Sequence, residues 1–200
     1  MPSTWHDSGT DFVKDHPRVT ASLARSAGVR LPPGATLKVA TAKTYTDRPS
    51  RDLIPDTVLY AGPKQEPTHV LIVEHQQNWS TDKLRQWPRY VAALWLNFKC
   101  PVDLLVICPD DQVAAAYEKP IETSLSGYTH CPAVLRPPHV PELATTEQVS
   151  GDPVMAVMSL AYHGTSEQIL ESFATGVLSL GDDEARKYYE YGVRMAPAVV

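Results

Sequence analysis

The chain has little cysteine and no long hydrophobic run, and both shortages narrow its class. Three cysteines among 200 residues, Cys100, Cys108 and Cys131, form no CxxC pair. Their odd number and apolar neighbours fit reduced, buried thiols rather than a disulfide frame. The longest aliphatic runs, residues 70–73 and 104–108, fall far short of the roughly 20 residues a membrane helix needs. Residues 1–11 lack both a basic start and an apolar h-region, so neither secretion nor membrane insertion is expected, and the cytoplasm is the expected compartment. A glycine-rich phosphate loop is absent, which removes support for a small-molecule-binding α/β domain. Internal repeats and low-complexity tracts are absent too. Positive charge is also in deficit. A formal net charge of −5 argues against a protein that coats nucleic acid through bulk electrostatics.

What is present is punctuation and pattern. Most of the 18 prolines sit at segment joints, where they end strands and helices. Charge is uneven: residues 30–105 hold 10 Lys/Arg against 7 Asp/Glu, a balance of +3, so a polyanion would meet the middle third. With 43% hydrophobic content the chain is long enough for one sizeable core plus an appendage.

Helical spacing of Phe12, Val13, Val19 and Leu23 predicts a helix over 11–27 with a break at Pro17. Alternation predicts a strand over 36–46 and a hairpin of 57–60 with 68–76 around a turn-rich loop. From Ser80 the period changes to 3.6, with Leu84, Trp87, Val91, Leu94, Trp95 and Phe98 on one face; Pro88 should kink that helix or divide it. A buried strand over 102–108 and a short helix over 114–117 come next, then a strand at 133–135. In the tail, Asp152 as N-cap, Pro153 at the first helical position and Gly164 as a stop define one helix. Others start at Ser166 and at Asp182.

Chemistry concentrates in the hairpin. Alternate strand residues share a face, so Glu74 and Gln76 point one way and His75 the other. If the hairpin closes with Tyr60 opposite Val70, Asp56 lies across from Glu74. Opposed carboxylates beside an aliphatic run need a neutralising cation, and Mg²⁺ or Mn²⁺ held by Asp56 and Glu74 meets that need. The plainer alternative makes Asp56 a turn residue and pairs Glu74 with Arg85 or Arg89. Lys83, Arg85 and Arg89 are candidates for phosphate contact, or else part of a solvated helix face. Trp79, near a loop, is a candidate for base stacking; Trp87 and Trp95 belong to the apolar stripe and are expected in the core.

The order helix, three strands, helix, strand, with Asp56 at the second strand and Glu74-His75-Gln76 ending the third, resembles the PD-(D/E)XK nuclease superfamily. His6-Asp7 before Phe12-Val13-Lys14, the segment from Trp87-Pro88-Arg89 to Ala92, and Cys100-Pro101-Val102 through Cys108-Pro109-Asp110 are similar to its recombination-promoting nuclease and transposase-like group, including uncharacterised actinobacterial relatives. The likeness covers residues 5–165. It implies an α/β fold with a restriction-endonuclease-like core: a helix, a three-stranded antiparallel meander, a helix and a strand. That core occupies residues 1–135, and a linker and helical C-terminal extension at 136–200 packs on it. It also implies a metal-dependent DNA endonuclease with Asp56, Glu74 and Gln76 as catalytic residues, Asp56 and Glu74 as metal ligands, and Asp7, or Asp11, as an additional acid from the first helix. DNA is the implied partner, and a homodimer is compatible with it. Gln76 stands where most such nucleases keep lysine, and glutamine has neither the charge to stabilise a phosphorane nor a basic group. A catalytically weak or inactive nuclease-like fold serving as an interaction module is therefore the alternative.

Overall fold

The computed structural model describes residues 4–29, 31–41, 45–47, 51–123, 125 and 127–197. The chain opens with helices α1 (Thr4–Asp15) and α2 (Pro17–Ser26), divided at Pro17 as the sequence predicts. Strand β1 (Leu37–Val39) follows, then β2 (Tyr45–Asp47) and β3 (Arg51–Leu53). The single strand expected over 36–46 is thus not formed. β1 stops at Val39, residues 42–44 lie outside the described set, and β2 turns back on β3 as a separate antiparallel pair.

Strands β4 (Thr57–Ala61) and β5 (His69–His75) form the expected hairpin, with Tyr60 opposite Val70 and Thr57 opposite Val73. Every residue of both strands is buried, the polar Thr57, His69, Glu74 and His75 together with the aliphatic run Val70–Val73. Helix α3 (Thr81–Phe98) carries the chain over to β6 (Val102–Ile107), parallel to β5. Pro88 does not divide α3. Its ring removes one N–H from the helical ladder, while its carbonyl accepts a hydrogen bond from the Tyr128 hydroxyl at 3.1 Å. Next come α4 (Asp111–Tyr117), capped by the Asp110 side chain, the small pair β7 (Ile121–Glu122) and β8 (Thr129–His130), and β9 (Ala133–Leu135). The main sheet has five strands in the order β1-β4-β5-β6-β9, antiparallel on the β1 side and parallel on the β9 side.

Strand alternation sorts the sheet into two cores. Val58, Val70, Ile72 and Val106 face Trp87 and Leu94 of α3 and Tyr117 of α4. Leu59, Leu71, Val73 and Ile107 face Phe12 of α1, Leu23 of α2 and the C-terminal helices. Those helices are α5 (Thr146–Gly151), α6 (Pro153–His163), α7 (Glu167–Leu178) and α8 (Asp182–Met195). The Asp152 side chain caps α6 by accepting from the Met155 N–H, as the Asp-Pro signal predicts. Residues 156–162 are all buried, so α6 is the axis of the tail. Because residues of α6, α7 and α8 belong to the same apolar cluster as α1, α2 and the sheet, the tail completes that core.

Trp95 departs from the expected stripe: it is 56% exposed, on the flank of α3 turned away from the sheet, while Trp87 is fully enclosed. Cys131 is likewise exposed, although Cys108 is buried, and all three thiols are free. Among the described residues no helix is long and apolar enough to cross a membrane.

The tail helices approach closely through glycine. A Cβ at Gly176 would lie 2.5 Å from Val149 Cβ and 3.0 Å from the Thr146 carbonyl, whereas Gly151 has open space around it. Alanine for glycine in a helix gains about 0.8–1 kcal/mol of propensity, but forced overpacking costs about 1–3 kcal/mol. Gly176→Ala is therefore expected to destabilise the protein by about 1 kcal/mol, and Gly151→Ala to be neutral or mildly stabilising. Urea unfolding of the two variants checks this opposition of sign.

Candidate functional site

The site forms where the β4–β5 ladder runs out. Pro55 delivers Asp56 just before β4, and Glu74 is the penultimate residue of β5. The two acids extend the ladder with their side chains. The Asp56 N–H donates to Glu74 Oε1 at 3.1 Å, and the His75 N–H donates to Asp56 Oδ2 at 2.9 Å. The register predicted from a symmetric hairpin therefore does bring the acids together, each bonded to a backbone N–H of the opposite segment.

Each carboxylate is held by a different helix. Glu74 is fully buried, and its Oε2 accepts from Lys83 Nζ at 2.5 Å and from Trp87 Nε1 at 3.3 Å, both on α3. Lys83 and Trp87 are four residues apart, hence on one helical face. Asp56 meets α1 instead: His6 Nε2 lies 3.1 Å from Asp56 Oδ2, and His6 Nδ1 lies 3.3 Å from Asp7 Oδ1. The cation that meets Glu74 is thus the ammonium of Lys83, read from the sequence as a phosphate contact. Gln76 is buried and bonded through its backbone N–H to the Ile107 carbonyl at 3.0 Å.

Burial, followed by the nearby charge of Asp56, raises the Glu74 carboxyl above its ordinary value, while Lys83 opposes the shift. His75 faces the other way, as alternation predicts. Its ring is enclosed beside Trp5 and His6, and among the described residues neither ring nitrogen has a hydrogen-bond partner, with Nδ1 4.0 Å from Asp56 Oδ2. Burial pushes its imidazole down to about 4, against the attraction of Asp56. Only glycine lets α1 close here, because a Cβ at Gly9 would lie 2.8 Å from the His75 ring.

Asp56 opens onto a cleft of about 370 Å³ lined by His6, Asp7, Asp11 and Lys14 of α1 and by Pro55. The two acids suggested as additions to the site therefore share its cleft. Asp7 is 65% exposed and touches His6, while Asp11 pairs with Lys14 at 3.0 Å. Arg85 and Arg89 are exposed on α3, and Trp79 is 45% exposed with its ring 4.7 Å from that of Tyr117.

Among the described residues no group of three or more His, Cys, Asp or Glu side chains is arranged to hold a metal ion. Magnesium is commonly held through one or two carboxylates with water completing its shell; here Asp56 opens onto the cleft, while both oxygens of the buried Glu74 already accept from Asp56, Lys83 and Trp87. Sequence reasoning missed Lys83, Trp87 and His6 as partners of the acids. The one available signal was the i, i+4 spacing of Lys83 and Trp87 in the first turns of the helix after the hairpin. No family model matches the chain, and no curated protein or solved structure does either.

Proposed function

We propose that this chain is a metal-dependent nuclease that hydrolyses DNA phosphodiester bonds, built on a PD-(D/E)XK-type, restriction-endonuclease-like core. The observation that carries the reading is the convergence of Asp56, Glu74 and Lys83 at one end of the β4–β5 hairpin. The antiparallel β1-β4-β5 segment followed by α3 and parallel β6 supports the fold assignment. A charged lysine near the acids also answers the objection raised by Gln76, since Lys83 brings from α3 the positive charge that glutamine lacks.

Asp56 and Glu74 would hold Mg²⁺ or Mn²⁺, which would act as a Lewis acid and lower the pKa of bound water. Lys83, paired with Glu74, would offer its ammonium to the negative charge that grows on the phosphoryl oxygens, and Trp87 fixes the Glu74 carboxylate through its indole N–H. His6 orients Asp56 at the mouth of the cleft. DNA is the partner this reading requires.

A second reading keeps the fold and drops the chemistry: a nuclease-like interaction module. It is favoured by the protein donors already seated on both acids, an ammonium on Glu74 and an imidazole on Asp56. Incubation of the purified chain with supercoiled plasmid and Mg²⁺ or Mn²⁺ separates the two. The nuclease reading expects nicking that EDTA abolishes, that Asp56→Ala eliminates, and that Lys83→Gln slows by about 100-fold or more. If the wild type nicks no faster than Asp56→Ala or Glu74→Gln, hydrolysis is ruled out and the interaction module stands.

A further inference from the structure

The mouth of the Asp56 cleft holds an imidazole between two carboxylates. His6 Nε2 lies 3.1 Å from Asp56 Oδ2, and His6 Nδ1 lies 3.3 Å from Asp7 Oδ1. A neutral imidazole has a single N–H, so beside two carboxylates one of its nitrogens sets a lone pair against an oxygen lone pair unless a cation sits there. The spacing at Asp56 fits a metal ion. Two donors at right angles around an ion, with bonds of about 2.1 Å, lie about 3.0 Å apart. Asp7 supplies the carboxylate that a metal-bound histidine commonly takes on its other ring nitrogen, which fixes the tautomer and the ring. An independent observation comes from the same helix. Thr10, four residues after His6 and so on the same face of α1, lines the cleft and is nine-tenths buried, yet its hydroxyl has no hydrogen-bond partner among the described residues. Water on an ion at Asp56 is the kind of partner a buried hydroxyl requires. The cleft, about 370 Å³, has room for several such waters.

We infer that Asp56 Oδ2 and His6 Nε2 together bind a divalent first-row transition ion, in preference to Mg²⁺, with water completing its shell. Mg²⁺ takes oxygen ligands and sheds water reluctantly, whereas an imidazole nitrogen favours transition ions, with affinity rising from Mn²⁺ through Co²⁺ to Ni²⁺. The inference rests on the nuclease reading and deepens it: the ion stays on Asp56 but takes its second protein ligand from α1. Glu74 is the poorer second ligand, because the Asp56 N–H, Lys83 and Trp87 already donate to its two oxygens. Asp7 then orients the histidine and does not ligate. Two protein donors leave positions on the ion open to substrate, and they agree with the lack of any three-residue His, Cys, Asp or Glu cluster among the described residues.

The test is calorimetric titration of the full chain, without DNA, with Mg²⁺, Mn²⁺ and Co²⁺ in turn. One ion per chain is expected, with affinity rising in that order and Co²⁺ at least tenfold tighter than Mg²⁺. His6→Gln should weaken Co²⁺ binding at least tenfold in a folded protein and leave little preference over Mg²⁺. Pulsed electron paramagnetic resonance of the Mn²⁺ form should show the nitrogen coupling of a bound imidazole in the wild type and not in His6→Gln. Absence of ion binding by the wild type overturns the inference, as does Mg²⁺ binding as tightly as Co²⁺. Wild-type affinity in His6→Gln, or nitrogen coupling that survives the substitution, overturns it too. Plasmid nicking by the same proteins is scored separately. An ion bound through His6 without nicking removes hydrolysis alone, and metal-dependent nicking with ion binding that His6→Gln leaves unchanged removes the histidine ligand alone.

Discussion

Replacing Lys83 with methionine is expected to lower the unfolding free energy by about 3 kcal/mol at pH 7 and by only about 1 kcal/mol at pH 5.5. Methionine keeps most of the lysine stem and removes the ammonium, so the fully buried Glu74 loses the one charged partner its carboxylate has among the described residues. Removing one member of a buried pair typically costs about 3–5 kcal/mol. The carboxylate has an escape, which is to take up a proton. Starting from the ordinary value of 4.5, protonation costs about 1.4 kcal/mol for each pH unit above it. The penalty is therefore limited to roughly 3 kcal/mol at neutral pH and shrinks as the medium acidifies. Glu74→Gln in the same chain removes the stranded charge, so the double variant should recover most of the loss. Urea unfolding of the wild type, both single variants and the double at two pH values closes the cycle. A pH-independent penalty, or a double variant no more stable than Lys83→Met, would show that Lys83 supports the fold by packing and not by pairing with Glu74.

The same pair marks where the sequence was legible and where it was not. The hairpin register followed from symmetric closure about the turn-rich loop; the continuous run Val70–Val73, buried on both faces, carries no preference of its own. The tail helices were legible from end signals, with Asp152, Pro153 and Gly164 bounding α6 as their backbone chemistry demands. The pairing of Lys83 with Glu74 was not legible, because periodicity gives the face of a helix and not its position along the sheet. Only the seating of α3 over the end of β5 puts its first turn on Glu74. Trp95 was misread for the same reason: it falls in the apolar stripe, yet it lies on the flank turned away from the sheet and stays exposed. The contact between His6 and Asp56 joins residues 50 apart in a chain whose only local hint was an opening His-Asp pair.

Between pH 6.5 and 4 the wild type is expected to lose stability to its buried histidines, and His75→Leu should remove one such contribution, matched in size by that of His130. In the folded chain burial holds the His75 and His130 imidazoles down to about 4, and it lowers His16 as well. Unfolded, each returns to about 6.5. As pH falls through 6.5 the unfolded chain takes up protons that the folded chain refuses, so stability falls, and the loss is complete below about 4. For the wholly enclosed His75 the integrated loss is on the order of 3 kcal/mol. Glu74 acts with the opposite sign. Its folded value is raised, so the unfolded chain ionises first as pH rises, and acidification relieves the strain on the native state. The wild-type acid limb is thus shallower than the histidines alone would make it. Leucine at position 75 keeps the volume against Trp5 and Gly9 and has no ring nitrogens to leave without partners. The stability difference between His75→Leu and the wild type should then widen by up to about 1.4 kcal/mol per pH unit between 6.5 and 4 and stay constant above 7. Parallel stability curves across that window would mean that His75 titrates in the folded protein as it does in the open chain, and that α1 does not seal it against β5.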